Sequence, residues 1–134
     1  MKERYWFNWP VGFRCAACAT YAGLVTWLSL APASTFSKLP AVLERPGMDK
    51  LAHFLMYGLL VLLVRWALAE HWKFRLPPWS IVAGASAYGL AMEIAQALMA
   101  QQYHRTFDVG DVIANTAGAS VSWWLAGFLF DKSK

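Results

Sequence analysis

The chain has 134 residues, enough for one domain, with 12 Lys and Arg against 8 Asp and Glu and a formal net charge of +4. It is 58% hydrophobic, 15% charged and carries eight tryptophans, whereas a soluble domain has roughly 25% charged residues and indole rings favour the water–lipid boundary. These figures exclude a soluble globular domain; they also exclude nucleic-acid binding, because the basic residues are spread among short loops and the two ends instead of gathering on one soluble face.

Four apolar segments follow in chain order, Phe13–Ala31, Leu51–Ala69, Trp79–Ala100 and Val109–Phe130. Each is close to the ~20 residues that cross a ~30 Å hydrocarbon core at about 1.5 Å per residue. In lipid the backbone must satisfy its own hydrogen bonds, so each segment is expected to be a helix. The fold class is therefore all-α: an integral membrane bundle of four transmembrane helices in one domain, residues 1–134.

The first segment has the outline of a signal peptide, with basic residues before it and Ala31-Pro32-Ala33 after it. Proline within the site and the bulky Tyr5, Trp6, Phe7 and Trp9 ahead of it argue for an uncleaved helix. Cys15 and Cys18 have redox or metal-pair spacing, but in an apolar helix without a second pair they read as packing residues. The following loop contains Pro32, Pro40, Pro46 and Gly47, and its Lys38–Leu43 stretch suits a short turn on the membrane surface.

Alternating the helices puts Lys2, Arg4, Arg14, Arg65, Lys73, Arg75, Lys132 and Lys134 on one side, and Lys38, Arg45, Lys50 and Arg105 on the other. Eight against four predicts a multi-pass protein of the cytoplasmic membrane with both termini cytoplasmic. Arg65 is expected to snorkel to that boundary, beside a belt of Trp66, Trp72 and Trp79. The third and fourth segments are rich in small residues, among them Gly84, Ala85, Gly89, Gly110, Ala114 and Gly118, which predicts that these two helices touch closely.

The unusual polar residues sit at the ends expected to face outward. The second segment opens with Asp49, Lys50 and His53, the third closes with Glu93 and Gln96, and the fourth opens with Arg105, Asp108, Asp111 and Asn115. At about 1.5 Å per residue, Glu93 and Asn115 lie roughly 8–10 Å inside the boundary, and His53 and Asp111 about 3 Å. Charge at such depth is costly unless it converges on partners or water, so the nine residues are candidates for one shallow outward-facing pocket. Each also has a plainer reading. Asp49 and Lys50 suit interfacial water, and His53 suits packing. Asp108 suits an N-cap, with Asp111 favoured at N3 by the helix dipole. Asn115 suits a bridge between helices. Glu93 and Gln96 are the hardest to explain this way, since both point into the membrane end of a helix.

Asp49-Lys50-x-x-His53, Glu93-x-x-Gln96 and Arg105-x-x-Asp108-x-x-Asp111-x-x-x-Asn115-x-x-Gly118, in this order and on three apolar segments, resemble the VanZ-like membrane protein family. The resemblance covers roughly Met48 to Gly127 and leaves the first helix without a quotable signature. The family takes its name from a protein associated with low-level resistance to the glycopeptide teicoplanin. The resemblance implies an envelope role more than a mechanism, and resistance is not assigned from it.

Three functions remain open on these residues. One is a binding module for membrane lipids, a lipid-linked cell-wall intermediate or a lipophilic glycopeptide, with Lys50 and Arg105 meeting phosphate or carboxylate. The second is an enzyme on a lipid-borne substrate, with Glu93 or His53 as general base, Asp108 and Asp111 holding a divalent cation as cofactor, and Arg105 stabilising developing charge. The third is structural, a cluster that fixes the bundle or a small partner subunit.

Overall fold

The computed structural model describes residues 9–38, 40, 45–68, 77, 79–100 and 106–130, with side chains described to residue 127. It is all-helical, with no strand among the described residues: α1 (Val11–Leu30), α2 (Met48–Leu68), α3 (Trp79–Leu98) and α4 (Val109–Phe130), plus a short 3-10 turn at Ala33–Phe36. Of the expected surface turn, only Lys38 and Pro40 lie within the described residues. The helices begin and end within about three residues of the apolar segments, a scatter that fraying ends produce.

Contacts fix the directions. Arg14 Nη1, early in α1, donates to the Trp66 carbonyl near the end of α2 at 3.0 Å. Gln96, late in α3, donates to the Ser29 carbonyl, late in α1, at 2.7 Å. Lys50 reaches Asp111, both in the first turns of their helices, at 2.7 Å. So α1 and α3 run one way and α2 and α4 the other, the antiparallel bundle expected.

The interior holds polar residues beside two apolar clusters, one around Val61 and one around Tyr57, and large apolar side chains face outward. Arg14, Arg65, Glu93, Gln96, Asp111, Asn115, Ser29 and Ser122 are buried, while Leu24, Leu55, Leu59, Leu90, Ile94, Ile113 and Val121 face outward. In water that arrangement would waste apolar surface; in lipid it is the arrangement that costs least. By length and composition α1, α2 and α3 are each apolar enough to cross a membrane. The 22 residues of α4 are long enough. Its polar Asp111 and Asn115 face the interior, while Ile113, Val121 and Trp124 face out.

The third and fourth helices touch as expected, but theirs is not the most extensive contact. α2 and α4 share the most extensive interface, ahead of α3 and α4. A Cβ on Gly118 would lie 2.0 Å from the Phe54 carbonyl oxygen, and one on Gly58 2.6 Å from Ser122 Oγ. Gly89 does bring α3 onto α4, with its missing Cβ 2.7 Å from Asn115 Nδ2, but Gly84 has nothing within 4 Å. Small residues on α3 and α4 therefore do promote close approach, but the larger share goes to α2, whose glycine Gly58 lies within its longest apolar run.

Arg65 departs from expectation. It does not reach outward: it is 5% exposed, and its guanidinium lies 4.0 Å over the Trp123 ring. A cation over an indole face inside the bundle gains more than one in water. Side chains also tie α1 to its neighbours, with Tyr21 donating to the Met56 carbonyl at 3.2 Å and Tyr88 to the Ala22 carbonyl at 2.9 Å.

Candidate functional site

The site lies at the end of the bundle opposite Arg14 and Arg65, where the start of α2, the end of α3 and the start of α4 meet. Asp108 is the N-cap of α4. Its Oδ1 accepts from the Gly110 N–H at 2.6 Å, and its carbonyl accepts from the Asp111 N–H at 3.1 Å. Asp111 then falls at N3, where the helix dipole favours a carboxylate. The capping explanation of these two residues is correct as far as it goes, but each has an oxygen left over.

Those oxygens meet Lys50. Its Nζ donates to Asp49 Oδ2 at 2.7 Å, Asp108 Oδ2 at 2.5 Å and Asp111 Oδ1 at 2.7 Å. One ammonium with three donors is matched to three carboxylates. Gly110 makes room for the lysine stem: a Cβ there would lie 2.7 Å from Lys50 Cε. The Lys50 ammonium, with the Gly110 amide adding to it, holds the Asp108 carboxyl below its usual range.

Deeper in, the pattern changes. Glu93 is fully buried. Its Oε2 accepts from the Asp108 backbone N–H at 3.2 Å, so α3 caps the first residue of α4's entry. Its Oε1 is buried without a hydrogen-bond partner among the described residues. His53 Nδ1 lies 3.0 Å from Asn115 Oδ1, an oxygen that only accepts. In this amide orientation Nδ1 is the donating nitrogen, so in the neutral ring the lone pair is on Nε2. Nε2 faces Asp111 Oδ2 at 3.5 Å. One ligand atom each of His53, Glu93 and Asp111 lies within 4.8 Å of the other two.

Eight of the nine candidate residues thus fall at one end of the bundle. Asp49, Lys50, Asp108 and Asp111 form an outer group, and His53, Glu93, Asp111 and Asn115 an inner one. Gln96 stands beside them with its amide spent on the Ser29 carbonyl. Arg105 lies outside the described residues, as do Lys2, Arg4, Trp72, Lys73, Arg75, Lys132 and Lys134.

A cavity of about 430 Å³ adjoins the group. Asp49, His53, Gln96 and Ser29 form its polar part; Leu28, Phe36, Met48, Ala52 and Met56 form much of the rest. Sequence reasoning missed the contribution of α1 and the 3-10 turn. Phe36 and Leu28 carry no chemical signature, and only the Pro32 turn that folds the chain back after α1 hinted at a wall there.

Outward-facing apolar helices around a buried polar cluster define a polytopic membrane protein. The chain belongs to the VanZ/LLP1 family, whose model matches residues 9–130 and so takes in α1 as well as the three helices that carry the polar motifs. No curated protein and no solved structure matches it.

Proposed function

We propose that this VanZ-like protein sits in the cytoplasmic membrane with both termini cytoplasmic, and binds the polar head group of a membrane lipid or lipid-linked intermediate in an outward-facing cavity. The observation that carries this reading is the cavity of about 430 Å³ with an apolar wall and a polar end at Asp49, His53 and Gln96. An amphiphile has the same two-part chemistry, and cavities of this size suit small ligands. The Asp49 side chain is 59% exposed while engaged with Lys50, so it has acceptor capacity left for an amine or hydroxyl. Lys50 has its three donors committed to carboxylates. Any anion recognition therefore falls to Arg105, the remaining cation of the motif. The lysine and arginine count of eight against four supports the orientation.

The test uses detergent-purified protein incubated with envelope lipid extract, followed by mass spectrometry of what stays bound. An enriched lipid class is expected, with loss in Ala52→Trp, which fills the cavity without touching a charged group. No enriched class, or equal retention by Ala52→Trp, rejects the reading. Arg105→Ala lowers retention if the head group is anionic. For orientation, in a chain whose Cys15 and Cys18 are replaced by serine, Thr35→Cys should label in intact cells and Ser133→Cys only after permeabilisation; the reverse pattern refutes cytoplasmic termini.

A further inference from the structure

We infer that His53, Glu93 and Asp111 form a binding site for a first-row divalent cation of the Zn²⁺ or Mn²⁺ class, drawn from α2, α3 and α4. Four observations bear on it. The three residues bring one ligand atom each to within 4.8 Å of one another. Glu93 is fully buried, and its Oε1 has no partner among the described residues. The Asp111 carboxylate is divided: Oδ1 is taken by Lys50 at 2.7 Å and Oδ2 faces His53 Nε2 at 3.5 Å. Asn115 holds His53 through Nδ1 at 3.0 Å, which turns Nε2, the nitrogen a metal would take, toward Asp111.

The uncommitted atoms are thus one imidazole nitrogen and two carboxylate oxygens. In the neutral imidazole all three can give an electron pair to a cation, each residue has a ligand atom within 4.8 Å of the other two, and His53 Nε2 lies 3.5 Å from Asp111 Oδ2. A divalent cation bound here takes the Nε2 lone pair in place of a proton and is met by the carboxylate opposite. Bound at about 2.0–2.2 Å from each ligand, it requires the donor atoms to close to roughly 3–4 Å of one another, a small movement of side chains. One nitrogen with two hard oxygens suits a borderline to hard first-row ion better than a thiolate-seeking one. The Asn115 contact is the kind of outer hydrogen bond that fixes a ligating histidine. The neighbouring trio Asp49, Asp108 and Asp111 also has metal-like spacing, but Lys50 already stands among its oxygens as the cation. The geometry therefore moves the cation from the Asp108–Asp111 pair, where sequence spacing put it, to the inner trio.

The experiment is direct and needs no lipid, so its outcome is separate from that of head-group binding. Full-length protein in detergent is stripped with chelator, loaded with ZnCl₂ or MnCl₂ alone, and desalted. Metal per chain is then read by elemental mass spectrometry and affinity by calorimetry. Close to one equivalent is expected, and His53→Ala and Glu93→Gln should each lower the affinity at least about 10-fold. Asn115→Ala should lower it about 10–100-fold. Co²⁺ loading adds a folding-independent readout: visible bands that change in His53→Ala report an imidazole ligand. Gel filtration and circular dichroism confirm that each variant is folded. Stoichiometry near zero overturns the site. So does binding that survives His53→Ala and Glu93→Gln but is lost in Asp49→Asn, which would assign the ion to the outer trio.

Discussion

Gly118→Ala tests whether the close contact of α2 and α4 assembles the site. A methyl at this position would stand 2.0 Å from the Phe54 carbonyl oxygen and 2.8 Å from its carbon. Both are backbone atoms of a helix, so no rotamer change relieves the clash. Ordinary contact begins near 3.4 Å, so the helices must part locally by up to about 1.4 Å. Overpacking typically costs about 1–3 kcal/mol, and a backbone-on-backbone case belongs at about 3 kcal/mol. Gly118 lies seven residues after Asp111, about 10 Å along the axis. Parting the helices there also draws Asp111 from Lys50 and His53, so the site loosens with the packing. The assay is reversible unfolding in mixed micelles of wild type, Gly118→Ala and Gly84→Ala, the last a control with nothing within 4 Å of the new methyl. Gly84→Ala should match wild type to within about 1 kcal/mol. If Gly118→Ala is as stable as Gly84→Ala, the close approach of α2 and α4 is not what the fold depends on.

Other groups give sharper local outcomes. Lys50→Met leaves Asp49, Asp108 and Asp111 facing one another; because the Lys50 side chain is 33% exposed, solvent screens part of the loss, and the expected cost is about 1–2 kcal/mol in the same unfolding assay. Asp108 is held below its usual carboxyl range by Lys50, so its contribution to stability is fully present above the unfolded value of 3.8 and disappears as pH falls through its folded value. An acid titration of stability should therefore be shallower below pH ~4 in Asp108→Asn than in wild type, and identical limbs would remove this linkage. Trp123→Leu removes the ring beneath Arg65 and should cost about 2 kcal/mol, with a smaller loss in Trp123→Phe; equal losses in both would mean that volume, not the indole face, matters.

Much of the fold was legible in the sequence because lipid imposes one rule, about 20 apolar residues per crossing. The bounds of α4 coincide with its apolar segment, and the positions of Asp49, His53, Glu93 and Asp111 relative to the helix ends brought them to one mouth. What the sequence left open was lateral order. Small residues mark α3 and α4, and nothing in their spacing says that Gly118 faces Phe54 of α2. Arg65 was misread for a related reason: hydropathy reports depth in the membrane, but not whether a side chain points to the headgroups or onto a tryptophan of the next helix. The commitment of Lys50 was invisible too. Its three acceptors lie one, 58 and 61 residues away, and only the packing of α2 on α4 brings the distant two within reach.

Asp111 divides the site into two halves with opposite energetic logic. On its Oδ1 side, one ammonium donates to three carboxylates, so each has Lys50 Nζ within 2.7 Å although the group stays net negative. That half can be accounted for by structure alone. On its Oδ2 side, Glu93 is buried with one oxygen unmatched among the described residues, and His53 Nε2 faces the Asp111 carboxylate at 3.5 Å. A buried carboxyl oxygen without a donor costs more than a neutral isostere that completes its own hydrogen bonds. The two halves should therefore respond oppositely to neutralisation in metal-free protein. Asp108→Asn weakens the Lys50 cluster and lowers stability. Glu93→Gln keeps the acceptor for the Asp108 N–H and adds an amide donor for Asp111 Oδ2, so it should raise stability by about 1–2 kcal/mol. Adding Zn²⁺ should reverse the order, because only the wild-type carboxylate gains from the ion. If Glu93→Gln instead lowers metal-free stability, the Glu93 charge is a strut of the bundle, and the inner half is as structural as the outer.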